Sequence, residues 1–97
     1  MSLLNPTPRD CLLDAQARPY FLWDVDMTLE RFEHLLRTAD RETRAYLVGK
    51  LMRQAKPDDV FTFVGEADIR DLWSDVQPYL GKTRDFWQWL MTARERP

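Results

Sequence analysis

The amino-acid sequence predicts an all-α protein in which residues 1–97 form one compact domain. Apolar residues recur at the three- and four-residue spacing of a buried helical face in successive stretches. Helix-capping residues and prolines separate these stretches. The composition, with 44% hydrophobic and 12% aromatic residues, is typical of an ordered globular chain. Together these observations predict five or six helices around one modest core.

The chain is expected to begin with a short helix over about residues 8–17. Thr7 can cap this helix, and Pro8 suits its first position because the proline ring fixes φ. Pro19 ends the helix, and Cys11 is expected to be a small buried apolar residue. Residues 1–6 are expected to be flexible or derived from cloning, and we assign them no function.

The stretch at residues 19–26 has the sequence Pro-Tyr-Phe-Leu-Trp-Asp-Val-Asp. Its apolar residues have strand propensity, but the chain offers no second convincing strand with which to pair. We therefore predict an extended tether whose apolar side chains fill the core.

Two helices are predicted next, joined as an antiparallel hairpin. Thr28 caps the first helix and Asp40 caps the second. Gly49 lowers the helix propensity of the second helix, which indicates either close packing at this position or no special role. The predicted buried positions are Leu29, Phe32, Leu35, Leu36 and Ala39, then Ala45, Val48, Leu51, Met52 and Ala55.

Further helices are predicted over about residues 57–64, 66–76 and 84–94, with Thr83 as the cap of the last one. In the last helix, Trp87 lies off the predicted buried stripe. It either packs between neighbouring helices or stays partly exposed as an anchor for another protein. The stripe itself consists of Phe86, Trp89, Leu90 and Ala93.

The overall charge and the cysteine count limit the possible classes of protein. The net charge is −2 and the sequence pI is near 5.3, so the chain lacks a global basic field for nucleic acid. The single cysteine excludes an internal disulfide and suits a reducing cytoplasm. No apolar run approaches the roughly 20 residues of a membrane span. The expected location is therefore the cytoplasm.

Charge is nevertheless distributed unevenly along the chain. Residues 41–56 contain five basic residues and one acid, whereas residues 58–75 contain six acids and one basic residue. The simpler interpretation is a solvated helix exterior that its acidic neighbour neutralises. The alternative is a basic strip, including Arg41 and Arg44, that binds an acidic partner or a nucleic acid.

An enzyme motif is present at Asp24-Val-Asp26-Met-Thr28. It resembles the first motif of the haloacid dehalogenase superfamily, and this resemblance implies a nucleophilic Asp24 and a general acid/base Asp26 in a small phosphatase. That chemistry requires a magnesium site, a lysine and further acids at the ends of parallel strands. The sequence does not predict that framework, so we expect no enzyme. In a helical protein, the two acids would instead favour the start of the following helix.

No cofactor or metal site is predicted. His34 is the only histidine, and it has no cysteine cluster at a ligand spacing.

Four stretches form a pattern that covers about residues 19–91. They are the tether, the Tyr-Leu-Val-Gly-Lys-Leu-Met helix, Lys-Pro-Asp-Asp-Val-Phe and the Phe-Trp-Gln-Trp-Leu end. It resembles a group of short bacterial helical proteins that look like companions of nucleotidyltransferase toxins of the abortive-infection class. The resemblance implies an antitoxin-like or accessory protein that binds a protein partner. The sequence does not indicate an oligomeric state. The candidate partner-binding residues are Trp23, Asp24, Asp26, Arg41, Arg44 and Trp87.

Overall fold

The computed structural model describes residues 6–94, which contain α-helices and 3₁₀ turns but no β-strand. This confirms the all-α prediction. The predicted helix over residues 66–76 is broken at Leu72, whose ψ is 5°, and this break raises the number of α-helices in the described part of the chain to seven. Residues 1–5, part of the predicted flexible start, lie outside the described residues. The helices are α1 Arg9–Leu12, α2 Leu29–Thr38, α3 Arg41–Gln54, α4 Pro57–Phe63, α5 Glu66–Asp71, α6 Trp73–Val76 and α7 Arg84–Arg94.

The centre of the fold is α3, which packs against α2, α4, α6 and the 3₁₀ turns Tyr20–Leu22, Gln77–Tyr79 and Gly81–Thr83. Its side chains are buried on more than one face, because neighbours surround it. The predicted inward positions are all buried, and Leu47, Gly49 and Lys50 are buried as well. Within residues 6–94, each helix is too short or too polar to cross a membrane.

The predicted caps of α2 and α3 are confirmed. Thr28 Oγ1 accepts a hydrogen bond from the Arg31 amide at 3.2 Å, and Asp40 Oδ1 accepts one from the Thr43 amide at 2.8 Å. Each side chain satisfies a donor that the first helical turn leaves without an intrahelical partner. The connection between the two helices is therefore short and well defined.

The first helix is shorter than predicted. It ends at Leu12, and the chain then forms a loop in which the Asp14 carboxylate accepts hydrogen bonds from the amides of Gln16 and Arg18. Ala17 has a φ of 61°, a left-handed conformation that a helix excludes.

Two side-chain assignments in this part of the chain also differ from the prediction. Thr7 does not cap α1, since its amide and hydroxyl bind Asp59 instead. Cys11 is exposed, and Leu12 is the buried residue of α1.

The prediction of an extended tether at residues 19–26 is wrong in conformation and only partly right in its packing, because Phe21 and Leu22 are buried whereas Trp23 is exposed. Tyr20–Leu22 is a 3₁₀ turn, and its backbone hydrogen bonds are made locally, from Leu22 N to Pro19 O and from Val25 N to Leu22 O. Phe21 is fully buried, with its ring centroid 5.4 Å from that of Phe32 and 5.5 Å from that of Phe63. The segment therefore anchors the core, as a compact turn instead of an extended strand.

The buried face of α7 also differs from the prediction. Trp87 is 1% exposed, and its indole Nε1 donates a hydrogen bond to the Met52 carbonyl at 2.9 Å. Phe86 and Trp89 are exposed. Thr83 does not cap α7, because a 3₁₀ turn at Gly81–Thr83 leads directly into it and the Thr83 hydroxyl donates to the Leu80 carbonyl. Trp87 is thus a core residue and is not available as a surface anchor.

Close packing explains the glycine in α3. A Cβ at Gly49 would lie 2.7 Å from the Cβ of Tyr79, and neither atom is at the end of a flexible side chain. Alanine would gain about 1 kcal/mol in helix propensity but would force the turn containing Tyr79 away from α3. We expect Gly49→Ala to lower the free energy of unfolding by roughly 1–3 kcal/mol in urea titrations.

The control for this substitution is Gly65→Ala. A Cβ there would have only the Asp68 carboxylate at 3.5 Å, an ordinary contact. We expect a loss of at most about 1 kcal/mol, because alanine is a poorer helix N-cap than glycine but meets no clash at this position. Equal effects of the two substitutions would contradict the packing explanation.

Candidate protein-binding surface

The most exposed large apolar side chain of the described residues is Trp23, which is 75% exposed. It lies at the edge of a groove of about 300 Å³. One wall of the groove contains Cys11, Leu12 and Leu13, and the other contains Pro19, Tyr20, Leu22, Trp23 and Val25. We call Trp23 and this groove the Trp23 surface.

The local fold explains why Trp23 points to solvent. A 3₁₀ turn has about three residues per turn, so successive side chains point in well-separated directions. Phe21 and Leu22 point into the core, and Trp23 follows them at the end of the turn. The burial of Phe21 and Leu22 therefore fixes the position of the exposed indole.

Asp24 is paired with a nearly buried lysine. Lys50, 8% exposed, places its Nζ 2.6 Å from Asp24 Oδ2, and Gln54 Nε2 donates to the same oxygen at 3.4 Å. The hydrogen bond from Lys50 is the main reason that the pKa of Asp24 lies below its ordinary value. Asp24 thus fixes the Trp23 turn to α3.

Asp26 lies in a different environment from Asp24. Its side chain is exposed, and its Oδ1 is 3.5 Å from Arg18 Nη1. Arg18 Nε also pairs with Asp14 at 3.0 Å. The phosphatase hypothesis requires Asp24 and Asp26 to act on one phosphate, whereas each has its own basic partner here. Among residues 6–94, no group of three or more His, Cys, Asp or Glu side chains is placed to hold a metal ion.

A buried carboxylate, Asp59, connects the N-terminal residues to α4. It is 1% exposed and accepts hydrogen bonds from the Thr7 amide at 2.6 Å, the Thr7 hydroxyl at 2.8 Å and the Tyr20 hydroxyl at 2.6 Å. The Tyr20 oxygen in turn accepts a hydrogen bond from the Lys56 amide at 2.8 Å. Residues separated by 39 and 52 positions therefore meet at one carboxylate.

The environment of this carboxylate shifts two pKa values. Burial raises the pKa of Asp59, but the hydrogen bonds from Tyr20 and Thr7 together with the charge of Lys56 outweigh it, so the pKa lies below 3.8. Burial, followed by the bond to Asp59, raises the pKa of Tyr20 to about 12. Both shifts favour the ionised carboxylate beside a neutral phenol.

Acid is expected to weaken the fold through Asp59. Because its pKa is lower in the folded chain than in the unfolded chain, its contribution to stability is complete above the ordinary value of 3.8 and is lost as pH falls below that value. Between about pH 4 and pH 2, the free energy of unfolding should therefore fall more steeply for the wild type than for Asp59→Asn. Urea titrations at several pH values measure the two slopes.

The control for the acid prediction is Asp85→Asn, which removes an exposed first-turn acid from α7 and leaves Asp59 in place. It should keep the steep acid dependence of the wild type. Parallel curves for the wild type and Asp59→Asn would show that Asp59 contributes nothing to the acid response.

Arg41, at the start of α3, forms its ion pairs with residues outside the Trp23 surface. Arg41 Nε is 2.8 Å from Asp75, and Arg41 Nη1 is 3.1 Å from Asp71. Arg44 is half-buried. Two of the five basic charges in residues 41–56, those of Arg41 and Lys50, are thus already paired with carboxylates. These contacts agree with the neutralised helix exterior and give no support to a continuous basic strip.

Three of the six sequence-predicted residues, Trp23, Asp24 and Asp26, lie together in the segment that follows the 3₁₀ turn Tyr20–Leu22. Sequence reasoning missed the groove wall at residues 11–13 and the exposed pair Phe86 and Trp89, whose ring centroids are 6.2 Å apart. The true stripe of α7 was readable from Trp87, Leu90 and Met91, which have helical spacing when Met91 replaces Trp89 as an inward position.

Comparisons of the chain with protein-family models, with curated proteins and with solved structures yielded no match.

Proposed function

We propose that this chain is a protein-binding module whose contact site is the Trp23 surface. The observation that carries the proposal is an indole that is 75% exposed although its two preceding neighbours are buried in the core. An aromatic side chain buries a large apolar area against a partner, and because it is rigid it loses little conformational entropy on binding. The apolar groove beside Trp23 gives the partner a surface into which to pack.

The charges around Trp23 favour a partner with basic side chains. The carboxylates of Asp14, Asp24 and Asp26 face two cationic groups, those of Arg18 and Lys50, which leaves one net negative charge. The indole can also bind a cation on its face. A nucleotidyltransferase that the chain neutralises or assists is the most concrete partner, and the resemblance of the tether and the later helices supports it.

The test begins with affinity capture from the host whose genome encodes the chain. The captured protein is then purified, and its binding to the wild type and to each variant is measured by titration. We expect Trp23→Ala to bind at least roughly thirtyfold more weakly than the wild type, the factor for a hot-spot loss of about 2 kcal/mol. Circular dichroism first establishes that the variants keep the helical content of the wild type.

The matched control is Trp89→Ala, which removes the other strongly exposed indole. It should bind like the wild type. Failure to recover a stoichiometric partner, or equal binding by Trp23→Ala, would count against the proposal, and weakening only by Trp89→Ala would move the interface to α7.

A further inference from the structure

The N-terminal strap, residues 6–12, is attached to the fold at few points. It contains α1, a helix of four residues that buries only one side chain, Leu12. A helix this short has no stability of its own in water. Tertiary contacts therefore decide whether the strap is closed on the core.

The strongest of these contacts are the two hydrogen bonds from Thr7 to Asp59. They are short, at 2.6 and 2.8 Å, and their acceptor is a charged and almost fully buried carboxylate. Within residues 6–94, the strap makes a further polar contact in the pair of Arg9 and Glu33 at 2.9 Å, in which the Arg9 side chain is 65% exposed. An exposed ion pair of this kind contributes little to stability.

The other hydrogen bond to Asp59 has a different consequence. Tyr20 belongs to the 3₁₀ turn that Phe21 and Leu22 anchor in the core, so its hydroxyl stays beside Asp59 when the strap leaves. Asp59 is thus a fixed acceptor on the folded body, and only Thr7 moves. Tyr20 and Lys56 are the titratable groups outside the strap that face this carboxylate.

We propose that Asp59 holds the N-terminal strap closed through Thr7, and that the closed strap completes the groove of the Trp23 surface. Cys11 and Leu12 of the strap line one wall of that groove, opposite residues 19–25. Opening removes Cys11 and Leu12 from this wall while α2 to α7 stay folded. The effect on partner binding rests on the proposed function, whereas the opening itself does not.

The experiment is native-state hydrogen exchange of the full chain without any partner. The reporters of the strap are the amides of Cys11 and Leu12, which donate to the Pro8 carbonyl at 2.9 and 3.1 Å. The reporters of the body are the amides of Phe32 and Ala55. Thr7→Ala removes one hydrogen bond to Asp59 and should raise exchange of the strap amides about tenfold, with body amides unchanged.

Asp59→Asn should raise strap exchange by at least the same factor, and Asp85→Asn, which removes an exposed first-turn acid from α7, should leave it at the wild-type rate. The proposal is overturned if Thr7→Ala does not change the strap amides, or if it raises exchange of strap and body amides by the same factor. Because no partner is present, this result is independent of whether the chain binds one. If it does bind one, Thr7→Ala should also weaken capture.

Discussion

Replacing Phe21 by alanine is expected to lower the free energy of unfolding by roughly 3–5 kcal/mol, the range for a fully buried phenylalanine. The ring is fully buried, and it contacts two other phenylalanine rings, those of Phe32 and Phe63. Truncation leaves a cavity among residues that belong to three separate segments of the chain, so local collapse cannot easily fill it. For a domain of 97 residues, a loss of this size is a large fraction of the total stability. Urea titrations followed by circular dichroism measure it.

The control for Phe21→Ala is Trp23→Ala, two residues further along the same segment. The larger side chain is removed, but Trp23 is mostly exposed, so the expected change is within about 0.5 kcal/mol. If both substitutions destabilised the fold equally, the division of this turn into a buried anchor and an exposed surface would be wrong.

The second large effect is expected for Trp87→Ala, also roughly 3–5 kcal/mol. This side chain is 1% exposed, and its ring lies 5.9 Å from that of Phe61 and 5.4 Å from that of Phe86, centroid to centroid. The substitution also leaves the Met52 carbonyl without the indole donor at 2.9 Å. Thermal and urea unfolding should both show the loss.

Trp89→Ala is the matched control in the same helix, because it removes the same side chain from a position that is 64% exposed. We expect it to change stability by no more than about 0.5 kcal/mol. If Trp89→Ala were the more destabilising substitution, the result would contradict the burial of Trp87 and support the buried stripe that the sequence predicted for α7.

The helices of the middle of the chain could be predicted because their signals are local. A cap such as Thr28 or Asp40 acts on the amide three residues ahead, and an apolar stripe such as that of α3 depends only on helical spacing. Local rules of this kind gave the fold class and most of the core.

The segment at residues 19–26 and helix α7 show where the local signals are ambiguous. Five successive apolar residues fit a strand, an extended tether or a tight turn equally well, since all three bury some of them. In α7, aromatic residues lie on most sides of the helix, so the phase of the buried stripe depends on which neighbours it meets. The pairing of Trp87 with the Met52 carbonyl decides this, and it joins positions 35 residues apart.

The candidate site was predictable only in part for the same reason. Trp23, Asp24 and Asp26 lie within four positions of each other, so a short sequence motif can identify them. Asp59 gave no comparable signal, because a first-turn acid normally stabilises the start of its helix and is solvated. Its burial follows from Thr7 and Tyr20 arriving from distant parts of the chain.

The most direct measurement of the proposed binding function is site-specific photo-crosslinking in the host, with a photoreactive phenylalanine derivative placed at position 23 and, in a second variant, at position 89. A crosslink to one protein from position 23 and none from position 89 is the expected result, because only the first position lies beside the groove. A crosslink from position 89 alone, or none from position 23 while the wild-type chain still captures a partner, would contradict the assignment of the interface to Trp23.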